Sequence, residues 1–123
     1  MKLSKAIGLP TADVTFRRFG PHPALIVKRF DRKYVSDNNK VLRRHVIDGC
    51  QALNLSRDHK YECNLGDSRD VQHIRDGASL EKLFEFCRSM SSPVESTQWL
   101  IQWQLFNLMI SNYDSHGKNV SLY

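Results

Sequence analysis

The chain has 123 residues, a net charge of +5, and 41% hydrophobic against 25% charged residues. That composition suits one domain with a core of its own and excludes extensive disorder. No run approaches the ~18 consecutive apolar residues of a membrane span, and "MKLSKAIGL" is too short for a secretory signal, so a soluble, cytoplasmic protein is expected.

The elements follow in chain order. Residues 2–8 read as a short helix, or the tail of one, stopped by Gly8 and Pro10. Val14 and Phe16 alternate with polar neighbours as in a half-buried strand. "FGPHP" (19–23) is a turn, and "ALIVKRF" a second strand buried at Leu25, Ile26 and Val27, giving an antiparallel pair. "SDNN" (36–39) is a loop. Val41 to Leu53 predicts a helix with Leu42, Val46, Cys50 and Leu53 on one face. Residues 55–78 are polar and read as a long functional loop.

Ser79 is positioned to cap a helix carrying Leu80, Leu83, Phe84, Cys87 and Met90. Ser92-Pro93-Val94-Glu95 is a second start signal, with Ser92 as cap, Pro93 at the first helical position and Glu95 completing a capping box. The helix it opens runs to about Ser111. Its apolar residues leave only Gln104, Asn107 and Ser111 as a polar stripe, so a central helix packed on several sides is expected. Val120 to Tyr123 follows as a strand. The fold class is therefore α+β: a short antiparallel strand pair followed by a mainly helical body.

The three cysteines, Cys50, Cys63 and Cys87, show no CxxC and no zinc spacing with His59 or His73. They read as reduced thiols, Cys50 and Cys87 on apolar helix faces. A pI near 9.3 permits a nucleic-acid or nucleotide partner. The basic residues Arg17, Arg18, Lys28, Arg29, Arg32 and Lys33 are interleaved with acidic and apolar ones, which favours a solvated mixed-charge surface.

The chemistry-bearing segment is "SNYDSHGKNVSLY", residues 111–123. Phosphoryl transfer needs a carboxylate near the attacking hydroxyl and oxygen ligands for magnesium. Asp114 and Asn119 have the Asp-to-Asn spacing of a kinase catalytic loop, and the two are expected to reach a common metal position. His116 and Lys118 suit phosphates or transition-state charge. Turn and capping bonds are the competing reading of an isolated D-x4-N. There is no GxSxG elbow and no P-loop.

Four segments in order, "KAIGLPTADVTFRRFGPHPALIVKRFDR", "LRRHVIDGCQAL", "KYE" and "LFNLMISNYDSHGKNVSL", resemble the HipA-like serine/threonine kinases, the toxin kinases of bacterial toxin–antitoxin pairs. The resemblance covers nearly the whole chain. It implies a partial protein-kinase-like fold over residues 1–123, with 1–32 the end of the N-lobe and hinge and 33–123 the helical lobe up to the catalytic loop. It implies Asp114 as the catalytic Asp and Asn119 as the magnesium ligand, with His116 and Lys118 on the family's D-x-H-x-K-N pattern. "VKRFDR" matches the hinge, where the backbone near Lys28 and Phe30 would bond adenine and Asp31 would approach ribose. ATP and Mg2+ are the implied cofactors.

The departures are Lys28 for the usual Glu, Val46-Ile47-Asp48 for "QED", and "CNLGDS" for a glycine-rich stretch after Lys60-Tyr61-Glu62. The family's phosphate-covering loop, ATP-anchoring Lys and second magnesium-binding Asp are not among these residues, so a chain inactive alone is expected. Two alternatives stay open. One is half of a split kinase, with exposed apolar residues near Leu3, Ile7 and Val120 to Tyr123 and a complementary fragment as partner. The other is a non-catalytic binding module for an antitoxin-type protein, or weakly or indirectly for nucleic acid. Self-association is a further expectation.

Overall fold

The computed structural model describes residues 2–123, and it separates into two compact units, Met1–His45 and Val46–Tyr123. The first opens with helix α1 (Lys2–Ala6), which ends as Gly8 takes a φ of +75°. Strands β1 (Val14–Phe19) and β2 (His22–Val27) pair antiparallel from Val14↔Val27 to Phe19↔His22. The hairpin is as expected, but its turn is only Gly20-Pro21, with Gly20 at φ +61°. A left-handed first turn residue matches the strands' own twist.

The expected burial of β2 is not found. Leu25, Ile26 and Val27 are exposed, as is Phe16 opposite Leu25. A two-stranded ribbon has no second layer within this unit to cover its apolar side chains.

The predicted helix over Val41–Leu53 is also wrong. Strand β3 (Arg32–Val35) is followed by a 3-10 turn over Ser36–Asn38 and then strand β4 (Lys40–Arg43), with Tyr34 opposite Val41 and Lys33 opposite Leu42. Asn39 closes the connection at φ +51°, its side chain accepting from the Tyr34 hydroxyl at 2.6 Å. Cross-strand pairing thus overrides a spacing that also fits a helix.

In the second unit only a single turn of helix survives from that segment, α2 (Gly49–Ala52), capped by Asp48 in a reciprocal capping box with Gln51. Strand β5 (Ile47–Asp48) pairs antiparallel with β8 (Ser121–Leu122), tying the segment before α2 to the end of the chain. The polar stretch after Leu55 holds a small ribbon, β6 (Cys63–Asn64) with β7 (Arg75–Asp76).

Helix α3 (Leu80–Cys87) starts at Ser79, whose hydroxyl accepts from the Lys82 amide at 3.2 Å. Met90, expected on this helix, lies beyond it. Helix α4 (Pro93–Met109) begins on Pro93, but Ser92 makes no side-chain cap, and the expected capping box is not formed. The Ser92 carbonyl instead accepts from the Ser96 amide.

The core of this unit is Leu83, Cys87, Leu100 and Val120, lined by Leu53, Leu80, Phe84, Trp99, Trp103 and Leu122. Helix α4 reaches it through one side only. Ile101, Leu105, Leu108 and Met109 are exposed, which corrects the expectation of a central helix packed on several sides. Asn107, read as part of a narrow polar stripe, is one of the helix's two buried residues. Leu3, Ile7 and Tyr123 are exposed as the split-kinase reading requires, whereas Val120 is buried.

Cys50 and Cys87 are buried and Cys63 is exposed, all three as free thiols. Burial pushes the Cys50 and Cys87 thiols above their ordinary range. Among the described residues no helix is long and apolar enough to cross a membrane.

Candidate active site

The loop after α4 is suspended from the buried Asn107. Its side-chain amide donates to the Trp103 carbonyl at 2.8 Å, and its Oδ1 accepts from Asn112 Nδ2 at 2.6 Å. The Asn112 amide donates to the Asn107 carbonyl, and Asn112 Oδ1 accepts from the Asp114 amide at 3.3 Å. An asparagine one turn from the end of an apolar helix is what aims the loop. The Asn112 amide in turn satisfies the Asn107 carbonyl, one of the last carbonyls that a helix C-terminus leaves without an intrahelical partner.

The far end of the loop is pinned by Gly117. Its amide donates to the Lys60 carbonyl at 2.9 Å, and a Cβ at this position would lie 2.5 Å from that of Ala78 and 3.1 Å from Cys50 Sγ. Only glycine allows the backbone this close. A 3-10 turn over Gly117–Asn119 then leads into β8. Asn119 turns back and donates from Nδ2 to the Asp114 carbonyl at 2.6 Å. The two residues of the D-x4-N pattern are therefore joined directly, and among the described residues nothing donates to the Asn119 side-chain oxygen.

Asp114 projects outward with its side chain 75% exposed. Its Oδ1 accepts from the Tyr61 hydroxyl at 2.6 Å and lies 3.6 Å from His116 Nε2. Among the described residues nothing donates to Oδ2. The Tyr61 bond, more than the nearby His116 and Lys60, holds the Asp114 carboxyl below its ordinary range, and the same contact raises the Tyr61 phenol.

His116 stands edge-on to the Tyr61 ring, with centroids 5.0 Å apart and planes at 89°. Its side chain is 9% exposed, and its buried Nδ1 has no hydrogen-bond partner among the described residues. Lys118 Nζ is 3.8 Å from Asp48 Oδ2, so the acid at the end of the "QED"-like stretch faces the loop. The structure thus brings Asp114, His116 and Asn119 together around one turn, with Lys118 on its flank.

Tyr61 was not among the residues predicted for the site. It lies 53 positions from Asp114 in sequence, and its one signal was its place in "KYE".

The hinge-like residues belong to the first unit. The Lys28 amide donates to the Asp13 carbonyl at 2.8 Å, continuing the β1–β2 ladder. Both Asp31 carboxylate oxygens are engaged by Arg29, at 2.7 and 2.6 Å, and Oδ2 also accepts from Arg32 at 3.3 Å. The Arg29 contact is the main reason the Asp31 carboxyl titrates far below its usual range. The Asp31 carbonyl accepts from the Arg44 amide, which extends the β3–β4 pairing. Among the described residues no group of three or more His, Cys, Asp and Glu side chains is placed to hold a metal ion.

Small antiparallel ribbons, a helical body and a polar loop delivered by its longest helix define a piece of a kinase-like α+β fold. Comparison with known proteins makes the assignment specific: the chain belongs to the HipA-like C-terminal domain family, which matches residues 1–123. It is 46% identical to the serine/threonine-protein kinase toxin HipA of Shewanella oneidensis, over 100% of this chain and 28% of that protein. It is 35% identical to the Y4mE protein of Sinorhizobium fredii, over 99% of this chain and 26% of that one.

A solved Shewanella oneidensis complex of HipA, HipB and operator DNA contains a chain that superposes with a TM-score of 0.86 at 46% identity. The superposition covers 98% of this chain and 28% of that one. The chain therefore spans little more than a quarter of the relatives it matches.

Proposed function

We propose that this chain supplies the hinge and catalytic loop of a kinase-type phosphoryl-transfer domain, over residues 1–123. One observation carries the reading: Asp114 and Asn119 are locked to each other while Asp114 Oδ2 and the Asn119 side-chain oxygen remain open. That is what a base beside a metal ligand requires. Asp114 takes the proton of the attacking hydroxyl. His116 and Lys118 face the charge that develops on the transferred group.

The fit to magnesium is right in kind and short in number. An amide oxygen is a hard donor, but Mg2+ wants six oxygens, and the described residues gather no acidic cluster for it. When bound, magnesium–ATP supplies the phosphoryl group and much of its charge neutralisation. In the first unit, the Lys28 amide is already spent on Asp13, so an adenine contact there uses the Lys28 carbonyl and the backbone at Phe30. Asp31 meets ribose only by sharing an oxygen with its arginines.

With so few phosphate-neutralising groups, these residues alone do not catalyse transfer. An antitoxin-type protein is the partner that family membership favours, in the cytoplasm. The test is a chimera in which these residues replace the matched stretch of Shewanella HipA. We expect phosphate transfer from ATP by the chimera and none by the isolated chain. Asn119→Ala should raise the magnesium needed for half-maximal rate at least about tenfold. A folded chimera without activity would falsify the reading.

A second reading rests on charge. Residues 1–45 hold eleven of the 18 lysines and arginines against three acids, while the remainder holds seven against ten. On the β3–β4 ribbon Arg32 lies directly opposite Arg43, a like-charge pairing that Asp31, bonded to Arg32 at 3.3 Å but shared with Arg29, offsets only in part. Such a unit suits a phosphate backbone. Binding of a short DNA duplex to the chain should then fall steeply with salt. Arg43→Glu with Lys33→Glu should weaken it, whereas Arg69→Glu should not; equal effects of the two would end this reading.

A further inference from the structure

We propose that Tyr61 is a positioning residue for Asp114: its hydroxyl fixes the carboxylate so that Oδ2 is the oxygen presented to the incoming hydroxyl. The inference rests on the reading of Asp114 as the base. It adds a residue from a distant loop and assigns the two carboxylate oxygens different tasks.

An outward-pointing aspartate with its side chain 75% exposed has little packing to choose its rotamer. Exposed side chains of this kind hop between staggered wells in ps–ns. One short bond removes that freedom, namely Tyr61 Oη to Oδ1 at 2.6 Å. His116 faces the same oxygen from 3.6 Å. The titratable and charged groups around the carboxylate are Tyr61, His116 and Lys60, and neither of the first two is directed at Oδ2. A reacting proton therefore finds one oxygen occupied and the other open, an arrangement that favours a single near-attack geometry.

Tyr61 can do this because it is itself held at three points. The preceding carbonyl, that of Lys60, is bonded to the Gly117 amide inside the loop it serves. Its own carbonyl sits over Gly77, so close that an added Cβ there would lie 2.0 Å away. Its ring is braced by His116 and lies 5.0 Å from Lys60 Nζ. The phenol thus reaches Asp114 from a backbone fixed to the same turn. A purely structural tyrosine would not need its hydroxyl on the reacting side chain.

The experiment reads the Asp114 rotamer in the 123-residue chain by three-bond N–Hβ and C′–Hβ couplings, in wild type and in Tyr61→Phe. The phenylalanine keeps the ring against His116 and removes only the hydroxyl. We expect couplings of one χ1 well in wild type and averaged couplings in the variant. Unchanged couplings overturn the proposal.

If Tyr61→Phe does not fold, Asp114→Ala gives the converse reading. The 13Cζ resonance of Tyr61 should move while those of Tyr34, Tyr113 and Tyr123 stay; no movement again overturns it. In the HipA chimera, Tyr61→Phe should lower kcat about tenfold, the scale of a lost hydrogen bond to a charged group, and leave KM for ATP unchanged. A rise in KM with kcat intact would instead overturn the positioning role. Whether Asp114 is the base is judged separately, by the activity of Asp114→Asn, because the couplings report the Tyr61 tether without any phosphoryl transfer.

Discussion

Gly77→Ala is expected to destabilise the second unit by about 3 kcal/mol or more, and to lower its melting temperature by roughly 10 °C or more. Two independent costs add. Gly77 sits at φ +83°, where a side chain costs roughly 1–2 kcal/mol. The Cβ would also fall 2.0 Å from the Tyr61 carbonyl oxygen and 3.1 Å from that of His59. Those are backbone atoms, so relief requires moving the chain that carries Tyr61. The Ala78 amide, bonded to the His59 carbonyl at 2.9 Å, would be pulled with it.

Gly20→Ala is the control. Its φ is +61°, but nothing lies within 4 Å of the added Cβ, so only the backbone cost of about 1 kcal/mol should appear. Urea titration of the two variants separates the terms. Equal losses would mean that the close approach at Gly77 relaxes at no cost.

The same position shows why the site was only partly legible in the sequence. The loop could be read because its chemistry is contiguous: Asp114, His116, Lys118 and Asn119 fall within six residues. The β1–β2 hairpin and helices α3 and α4 could be read because turn, cap and periodicity are local signals. What escaped is non-local. Tyr61 meets Asp114 across 53 positions, and Gly77 and Gly117 matter through contacts with residues far along the chain.

The segment from Val41 to Leu53 failed for a related reason. Its apolar spacing fits a helix, but Val41 and Leu42 pair back onto Tyr34 and Lys33, and Ile47 pairs with Leu122. The local clue was Asp48-Gly49-Cys50-Gln51, a capping signature that starts a helix at 49 rather than 41. Helix α4 misled in the other direction. Apolar residues around most of its circumference predicted packing on several sides, yet the second unit covers one face. Its single buried polar residue, Asn107, turned out to be the loop's anchor.

The second large effect expected is at Asp114 itself. In the HipA chimera, Asp114→Asn should reduce phosphoryl transfer by about 10²–10⁴-fold, the usual worth of a positioned general base. The substitution suits this question because it changes little else. The amide keeps an oxygen that can accept from the Tyr61 hydroxyl, and the Asn119 bond goes to the residue-114 carbonyl, which is untouched. The side chain is largely exposed, so the fold should survive with a melting temperature close to that of wild type.

What is lost is a basic oxygen at the open Oδ2 position. The defect should therefore fall on kcat, with KM for ATP unchanged, since no adenine or ribose contact is assigned to this residue. Asp114→Ala should be no slower than Asp114→Asn by more than a few fold, because the base is already gone in both. If Asp114→Asn retains a rate within tenfold of the chimera, the proton goes elsewhere. The loop would then be holding phosphate or metal while His116, whose Nε2 lies 3.6 Å from Asp114 Oδ1, becomes the group to test as acceptor.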